Sequence, residues 1–172
     1  MRRLATLLLL VVAIAGCTSV PEGVKPVENF EADRYLGTWY EIARFDHSFE
    51  RGLSKITANY SKREDGGIRV INRGYNAENG EWSEAEGKAY FVEDAQTGHL
   101  KVSFFGPFYA SYVVAALDKE NYSYSLVTGP DRTYLWILSR TPQLPQEVLD
   151  SLVSKAESLG FDTSKLIWVD HS

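Results

Sequence analysis

Between Gly37 and Arg140, apolar and polar residues alternate with a period of two, and turn clusters interrupt the alternation every eight to twelve residues. Ile56, Ala58 and Tyr60 alternate with Thr57, Asn59 and Ser61; Leu100, Val102 and Phe104 alternate with Lys101 and Ser103. The breaks fall at Asp65-Gly66-Gly67, Asn79-Gly80, Thr97-Gly98, Asp118 to Asn121, and Gly129-Pro130-Asp131. A period of two puts successive side chains on opposite faces, one buried and one wet. The spacing predicts eight strands, near 37–46, 54–62, 68–76, 82–92, 99–105, 109–118, 122–128 and 133–139. Consecutive antiparallel strands in that number expose two edges unless the sheet closes, and a closed barrel of eight can hold one small ligand. The expected fold class is therefore all-β: an eight-stranded antiparallel up-and-down β-barrel with one C-terminal α-helix packed outside.

That helix is predicted between Pro145, which can open it, and Gly160, which can close it. Leu149, Leu152, Val153, Ala156 and Leu159 fall at helical spacing and form one apolar stripe. The segment Tyr112 to Leu117 is apolar on both faces, as suits a strand with the barrel interior on one side and the helix on the other. A last short strand is expected over 165–169.

The N-terminus carries the address. Arg2-Arg3 precede a short apolar run from Leu7 to Gly16, and Cys17, the single cysteine of the chain, follows it. This is the layout of a secretory signal, and the run is about half of what a membrane-spanning helix needs. Ile14-Ala15-Gly16-Cys17 resembles the lipobox of bacterial lipoproteins, with Ile where the pattern favours Leu. The resemblance implies cleavage before Cys17, acylation of Cys17 and, with Thr18 rather than Asp next, residence on the periplasmic face of the outer membrane. The chain then divides into a cleaved signal peptide (1–16), a lipidated N-terminus and tether (17–28) and one domain (29–172). The tether reading rests on Pro21, Gly23 and Pro26 and on the lack of an amphipathic period.

Removing the first sixteen residues leaves 156 and shifts the formal charge from −5 to −7. An acidic chain of this kind argues against nucleic acid as a partner. With Cys17 acylated no thiol remains for disulfides or thiol chemistry. His47, His99 and His171 lack metal-ligand spacing, so no metal site and no cofactor are expected. There is no nucleophile motif and no phosphate-cradling glycine loop, so no catalytic residue is assigned.

Three further segments carry a family resemblance. Gly37-Thr38-Trp39-Tyr40 resembles the Gly-x-Trp signature that opens the first lipocalin strand, and Arg140, closing Leu135 to Arg140, matches the arginine at the end of the eighth. The middle signature, usually Thr-Asp-Tyr, reads Leu117-Asp118-Lys119-Glu120-Asn121-Tyr122 here and keeps Asp118. The stretches Tyr35 to His47, Val102 to Tyr109 and Gly129 to Arg132 are similar to the bacterial outer-membrane lipoprotein lipocalins. The resemblance implies structural roles for Gly37, Trp39, Asp118 and Arg140, with the arginine crossing the closed barrel end to cover the tryptophan.

Period two and the lipocalin register together put Ile56, Ala58, Tyr60, Val70, Asn72, Ala89, Phe91, Leu100, Val102, Phe104, Tyr112, Val114, Trp136 and Leu138 inside, as ligand-binding candidates. The same positions could instead simply fill the core. The lining they predict is apolar with few fixed polar groups, and Arg44, Arg73, Lys88 and Lys101 read as solvated outer residues. The resemblance implies a fatty acid or lysophospholipid ligand, membrane attachment through lipidated Cys17, and a role in storage, transport or envelope maintenance under stress. A chain of sixteen carbons would gain roughly 13 kcal/mol gross on burial. Two alternatives stand beside this: a lipocalin-fold enzyme using an inward tyrosine on a hydrophobic substrate, and an envelope scaffold or homodimer joined through the outer face of Tyr112 to Leu117.

Overall fold

A computed structural model describes residues 18–172; the signal segment and Cys17 lie outside the described residues. Eight strands follow in order: β1 (Gly37–Arg44), β2 (Leu53–Lys62), β3 (Ile68–Asn76), β4 (Glu81–Phe91), β5 (His99–Phe105), β6 (Phe108–Leu117), β7 (Tyr124–Thr128) and β8 (Leu135–Ser139). Every strand boundary falls within two residues of the periodicity's expectation. Each strand pairs antiparallel with the next, and β1 pairs with both β8 and β2, so the sheet closes on itself. The β1–β2 ladder runs only from Gly37↔Tyr60 to Tyr40↔Thr57. Above it a short β9 (Ile167–Trp168) pairs with Ala43 and Arg44, and the Lys55 N–H donates to the Asp170 carbonyl at 2.7 Å, so the C-terminal segment fills the seam.

An up-and-down barrel has two kinds of end. The β1–β2, β3–β4, β5–β6 and β7–β8 connections lie at one, and the β2–β3, β4–β5 and β6–β7 connections at the other. The second end also receives the N-terminal turn α1 (Ala32–Tyr35), so it is the base and the first is the mouth.

Two apolar clusters share the barrel wall. Outside, helix α2 (Gln146–Ser158) sets Leu152 and Ala156 against Val113, Ala115, Leu126, Leu135 and Ile137, with Leu149, Val153 and Leu159 packed around them. Inside, Trp39, Tyr60, Val70, Ala89, Leu100, Val114, Val127 and Leu138 form the second cluster. Val113 and Ala115 thus face the helix while Tyr112 and Val114 face inward. This consumes the outer surface that the scaffold reading needed.

The stretch expected as a tether is docked on the barrel. Val24 is 6% exposed within the helix-side cluster. The Val27 N–H donates to the Val114 carbonyl at 2.9 Å, and the Gly98 N–H donates to the Val27 carbonyl at 2.8 Å. Arg132 donates to the Glu22 carbonyl, and the Ser19 hydroxyl donates to the Pro130 carbonyl at 3.0 Å. Apolar residues at irregular spacing (Val20, Val24, Val27) find an existing surface, which needs no helical or strand period of their own.

Candidate ligand-binding site

The base is sealed by aromatic and ionic contacts. Trp39 is fully buried and its indole N–H donates to the Tyr35 carbonyl at 2.8 Å. The Arg140 guanidinium lies over that indole, its Cζ 3.9 Å from the ring centroid. It donates to the carbonyls of Tyr122 (3.1 Å), Leu36 (2.9 Å), Thr38 (3.2 Å) and Arg34 (2.7 Å). Gly37 has φ +99°, and a Cβ there would stand 3.3 Å from the Arg140 guanidinium, so both backbone and space call for glycine. Phe30 closes the floor against Tyr35, Phe91 and Tyr122, and the Tyr122 hydroxyl accepts from the Glu31 N–H at 3.0 Å. Asp118 accepts from the Asn121 and Ser123 N–H groups, both at 3.3 Å, and from the Ser123 hydroxyl, which fixes the neighbouring turn.

Above the floor runs a chain of hydroxyls. Ser125 meets Tyr35 at 3.0 Å, Tyr35 meets Tyr112 at 2.8 Å, and Tyr112 meets Tyr60 at 2.9 Å. Burial pushes the Tyr35 hydroxyl up to about 12 and raises Tyr60 and Tyr112 as well, so all three stay protonated at neutral pH.

Along the inward face of β4, from Ala85 nearer the mouth to Ala89 nearer the base, the residues are small, and Ala58 is small on β2. Register pairs Ala58 with Asn72, Asn72 with Ala85, Val70 with Gly87, and Ile68 with Ala89. Ala89 in turn faces Val102, which faces Ala110. A Cβ on Gly87 would come within 2.9 Å of the Phe104 ring, so Phe104 lies across that glycine at the opening.

The opposite wall is polar. Glu41, Arg44 and Glu50 are all buried, Arg44 to 3% exposure. Arg44 Nε stands 3.3 Å from a Glu41 oxygen without an aligned hydrogen bond, and the guanidinium donates to the Glu50 carbonyl at 3.0 Å. The Trp136 indole N–H donates to the Glu50 carboxylate at 3.2 Å. Burial, then the neighbouring Glu50 carboxylate, raises Glu41 well above the usual carboxylate range, and burial raises Glu50. Two carboxyls beside one guanidinium form a neutral group when they share one proton. His47 stacks between Phe49 (5.3 Å) and Tyr134 (4.4 Å) at the rim. Among the described residues no group of three or more His, Cys, Asp or Glu could hold a metal ion.

The sequence model of the family described as "Lipocalin-like domain" matches residues 30–171. This chain belongs to the lipocalin family. It is 60% identical over 163 residues to the outer membrane lipoprotein Blc of Vibrio cholerae, covering 95% of each chain. It is also 60% identical over 165 residues to that of Escherichia coli K12, covering 96% of this chain and 92% of the other. In structure it is similar to insecticyanin of the tobacco hornworm Manduca sexta, with a TM-score of 0.72 and 25% identity over 90% of this chain and 87% of that one. With these relatives the lipocalin is a lipid-anchored lipoprotein of the outer membrane.

The structure places all fourteen sequence-derived candidates of this lipocalin on the inward face. Eleven join the interior cluster directly, with Tyr60, Val70, Ala89, Leu100, Val114 and Leu138 buried and Ala58, Phe91, Val102, Tyr112 and Trp136 half-buried. Ile56 packs against the wall at Gly74, Asn72 shares the face by register, and Phe104 stands at the opening. Arg73, Lys88 and Lys101 are outside as expected, Arg73 over the Trp82 ring and Lys101 over that of Tyr109.

Arg44 corrects the expectation of a solvated outer residue. A β-bulge between Glu41 and Ala43 adds one residue to β1, so Ile42 and Ala43 both face the helix and Arg44 turns inward opposite Trp136. The lining is thus not uniformly apolar. Glu41, Glu50 and Tyr35 were also missed as interior groups; a Glu and an Arg three apart in an otherwise apolar strand were the available signal.

Proposed function

We propose that this lipocalin takes single-chain lipids, fatty acids or lysophospholipids, into its barrel and stores or carries them at the periplasmic face of the outer membrane, serving membrane maintenance under stress. The observation that carries the reading is the strip of small inward residues, Ala58, Ala85, Gly87, Ala89 and Ala110, above a sealed base. At ~3.3 Å per residue and a tilt near 40°, the eleven residues of β4 span about 25 Å along the axis. That is the height of the whole wall, from the base turn to the rim. The gross gain of roughly 13 kcal/mol for sixteen carbons, less association and ordering costs, supports micromolar or tighter binding.

Arg44 does not serve as a free cation for an acidic head group, because Glu41 and Glu50 already partner it. The head group therefore belongs at the rim, near His47, Tyr134 and Phe49, in contact with water. Binding rather than catalysis fits the tyrosines: each hydroxyl is held protonated and tied to another hydroxyl. Mass spectrometry of lipid extracted from natively purified protein tests the reading. One acyl chain per protein, with variable chain type, is the expected result, and protein free of lipid that also takes up none when incubated with it would refute it.

A further inference from the structure

A second cleft lies outside the barrel. The β1–β2 ladder ends at Tyr40↔Thr57, and there the outer wall of β1 to β4 and the C-terminal segment enclose a hollow of about 350 Å³. That volume is at the small end of ligand pockets. The Tyr40 ring stands edge-on to that of His171 at 5.5 Å, and His171 Nε2 donates to the Glu41 carbonyl at 2.7 Å. The last residues of the chain are thereby fixed as one side of the cleft.

Arg73 and Lys55 line this cleft without a carboxylate partner. Arg69 and Arg73 share the outward face of β3, and Arg69 forks onto Glu86 at 2.8 and 2.9 Å. Arg73 has Glu84 directly opposite in register, yet among the described residues it forms no ion pair and no side-chain hydrogen bond. Its guanidinium lies on the Trp82 ring instead, with Cζ 4.2 Å from the centroid, so its five N–H donors stay open. Lys55 sits where a register shift between Ser54 and Thr57 bulges β2, and it holds φ +50°. Left-handed backbone at a non-glycine residue is strained, and a bulge re-aims a side chain. The Lys55 ammonium stands 5.7 Å from the Tyr75 ring centroid, and it closes no ion pair on Asp170, the carboxylate that feels its charge.

On a chain of net charge −5, two cations that leave nearby carboxylates unpaired and converge on one cleft mark a place for an anion from outside. The other lining groups define the rest of that ligand. Trp82 is 48% exposed, and the hydroxyls of Thr57 and Tyr40 make no hydrogen bond among the described residues. The negative face of an indole attracts the C–H face of a sugar ring, and open hydroxyls match those of a sugar. We propose that the cleft is a second binding site, for a phosphorylated sugar, with Arg73 and Lys55 on the phosphate and Trp82 against the ring. Thr57 and Arg73 face outward, while their neighbours Ala58 and Asn72 face the interior, so the site is independent of the lipid reading above.

Isothermal titration of the full chain tests this, with glucose 6-phosphate, glucose and inorganic phosphate as separate titrants. Glucose 6-phosphate is expected to bind at one site per chain with a dissociation constant below about a millimolar, and the other two at least tenfold more weakly. Arg73→Gln and Trp82→Ala should each weaken the sugar phosphate at least tenfold, with the near-ultraviolet circular dichroism of a folded barrel retained. Arg69→Gln removes an equal charge on the same strand, from a guanidinium already tied to Glu86, and should leave binding unchanged. Three results would each overturn the site: no heat at about ten millimolar glucose 6-phosphate, phosphate binding as tightly as the sugar phosphate, or equal losses in Arg69→Gln and Arg73→Gln. None of these readouts involves the barrel interior, so such a failure is distinct from a failure of lipid binding.

Discussion

Arg140 and Trp39 are separated by 101 positions in sequence, and the guanidinium of one covers the indole of the other with Cζ 3.9 Å from the ring centroid. The contact joins the first strand to the end of the last, and four carbonyl acceptors from Arg34, Leu36, Thr38 and Tyr122 hold the guanidinium there. It seals the base and so determines that the barrel has one mouth. Arg140→Met removes the cation–π contact and leaves carbonyls without donors. The expected loss is about 2–4 kcal/mol in urea unfolding with the fold retained. Arg140→Lys should recover only part of it, since an ammonium lacks the planar fork. A loss below about 0.5 kcal/mol for Arg140→Met would show that the base is held by Phe30 and Tyr122 without it.

Ala58→Leu separates a cavity from a filled core. If space lies beside Ala58 for an acyl chain, the added methyl groups occupy it: lipid affinity falls at least tenfold, a change of about 1.4 kcal/mol, while unfolding free energy stays within about 0.5 kcal/mol. In a filled core the same substitution overpacks and costs about 1–3 kcal/mol. Titration of a fluorescent fatty acid and urea unfolding of the same variant distinguish the two.

Glu41 and Glu50 give a pH dependence of unusual sign. A carboxyl whose folded pKa is raised binds its proton more tightly when folded. Its contribution is therefore fully present below the unfolded value of about 4.3 and is lost as pH rises through the raised folded value. Burial with Glu50 nearby is the cause for Glu41, and Arg44 opposes it only in part. Glu41→Gln should thus gain stability relative to the parent as pH is raised above the unfolded value of about 4.3, and the gain should level off once pH passes the raised folded value, read by thermal unfolding in matched buffers. A difference that does not change with pH would mean that Glu41 does not hold a proton. Asp65 works the other way: hydrogen bonds from Arg63, Tyr90 and the Gly67 N–H hold its carboxyl well below the usual range, so its contribution fades as pH falls.

The docked N-terminal segment should behave as part of the domain. Val24→Ser replaces a buried apolar side chain in the helix-side cluster with a hydroxyl that has no assigned partner. The expected cost is about 1–3 kcal/mol. Limited proteolysis provides a second reading: cleavage between 19 and 28 should be slow in the parent and fast in the variant. Rapid cleavage in the parent would restore the loose tether that Pro21, Gly23 and Pro26 suggested.

The strands and helix were legible because period two and the 3.6-residue stripe both report burial, which is one-sided along most of β2 to β5 and α2, while β7 is buried on both faces. Trp39 and Arg140 were legible as a family signature, and the inward register followed from them along β2 to β8. Arg44 was not, because a bulge shifts the faces of β1 by one residue and leaves no mark in composition. Residues 18–28 misled for a related reason: a segment that lies on a finished surface is stabilised by isolated side chains, and isolated side chains have no period. The hydroxyl chain through Tyr35, Tyr112 and Tyr60 depends on three strands or turns far apart in sequence and could be read only from coordinates.

The proposed function requires the barrel to bind one single-chain lipid above its sealed base. The most direct measurement is displacement of a fluorescent fatty acid from the delipidated protein by palmitate and by a lysophospholipid. One site per chain is expected, with displacement by both ligands at dissociation constants at or below about a micromolar, and at least tenfold weaker binding of both in Ala58→Leu. A parent protein that shows no displacement at high micromolar lipid would contradict it.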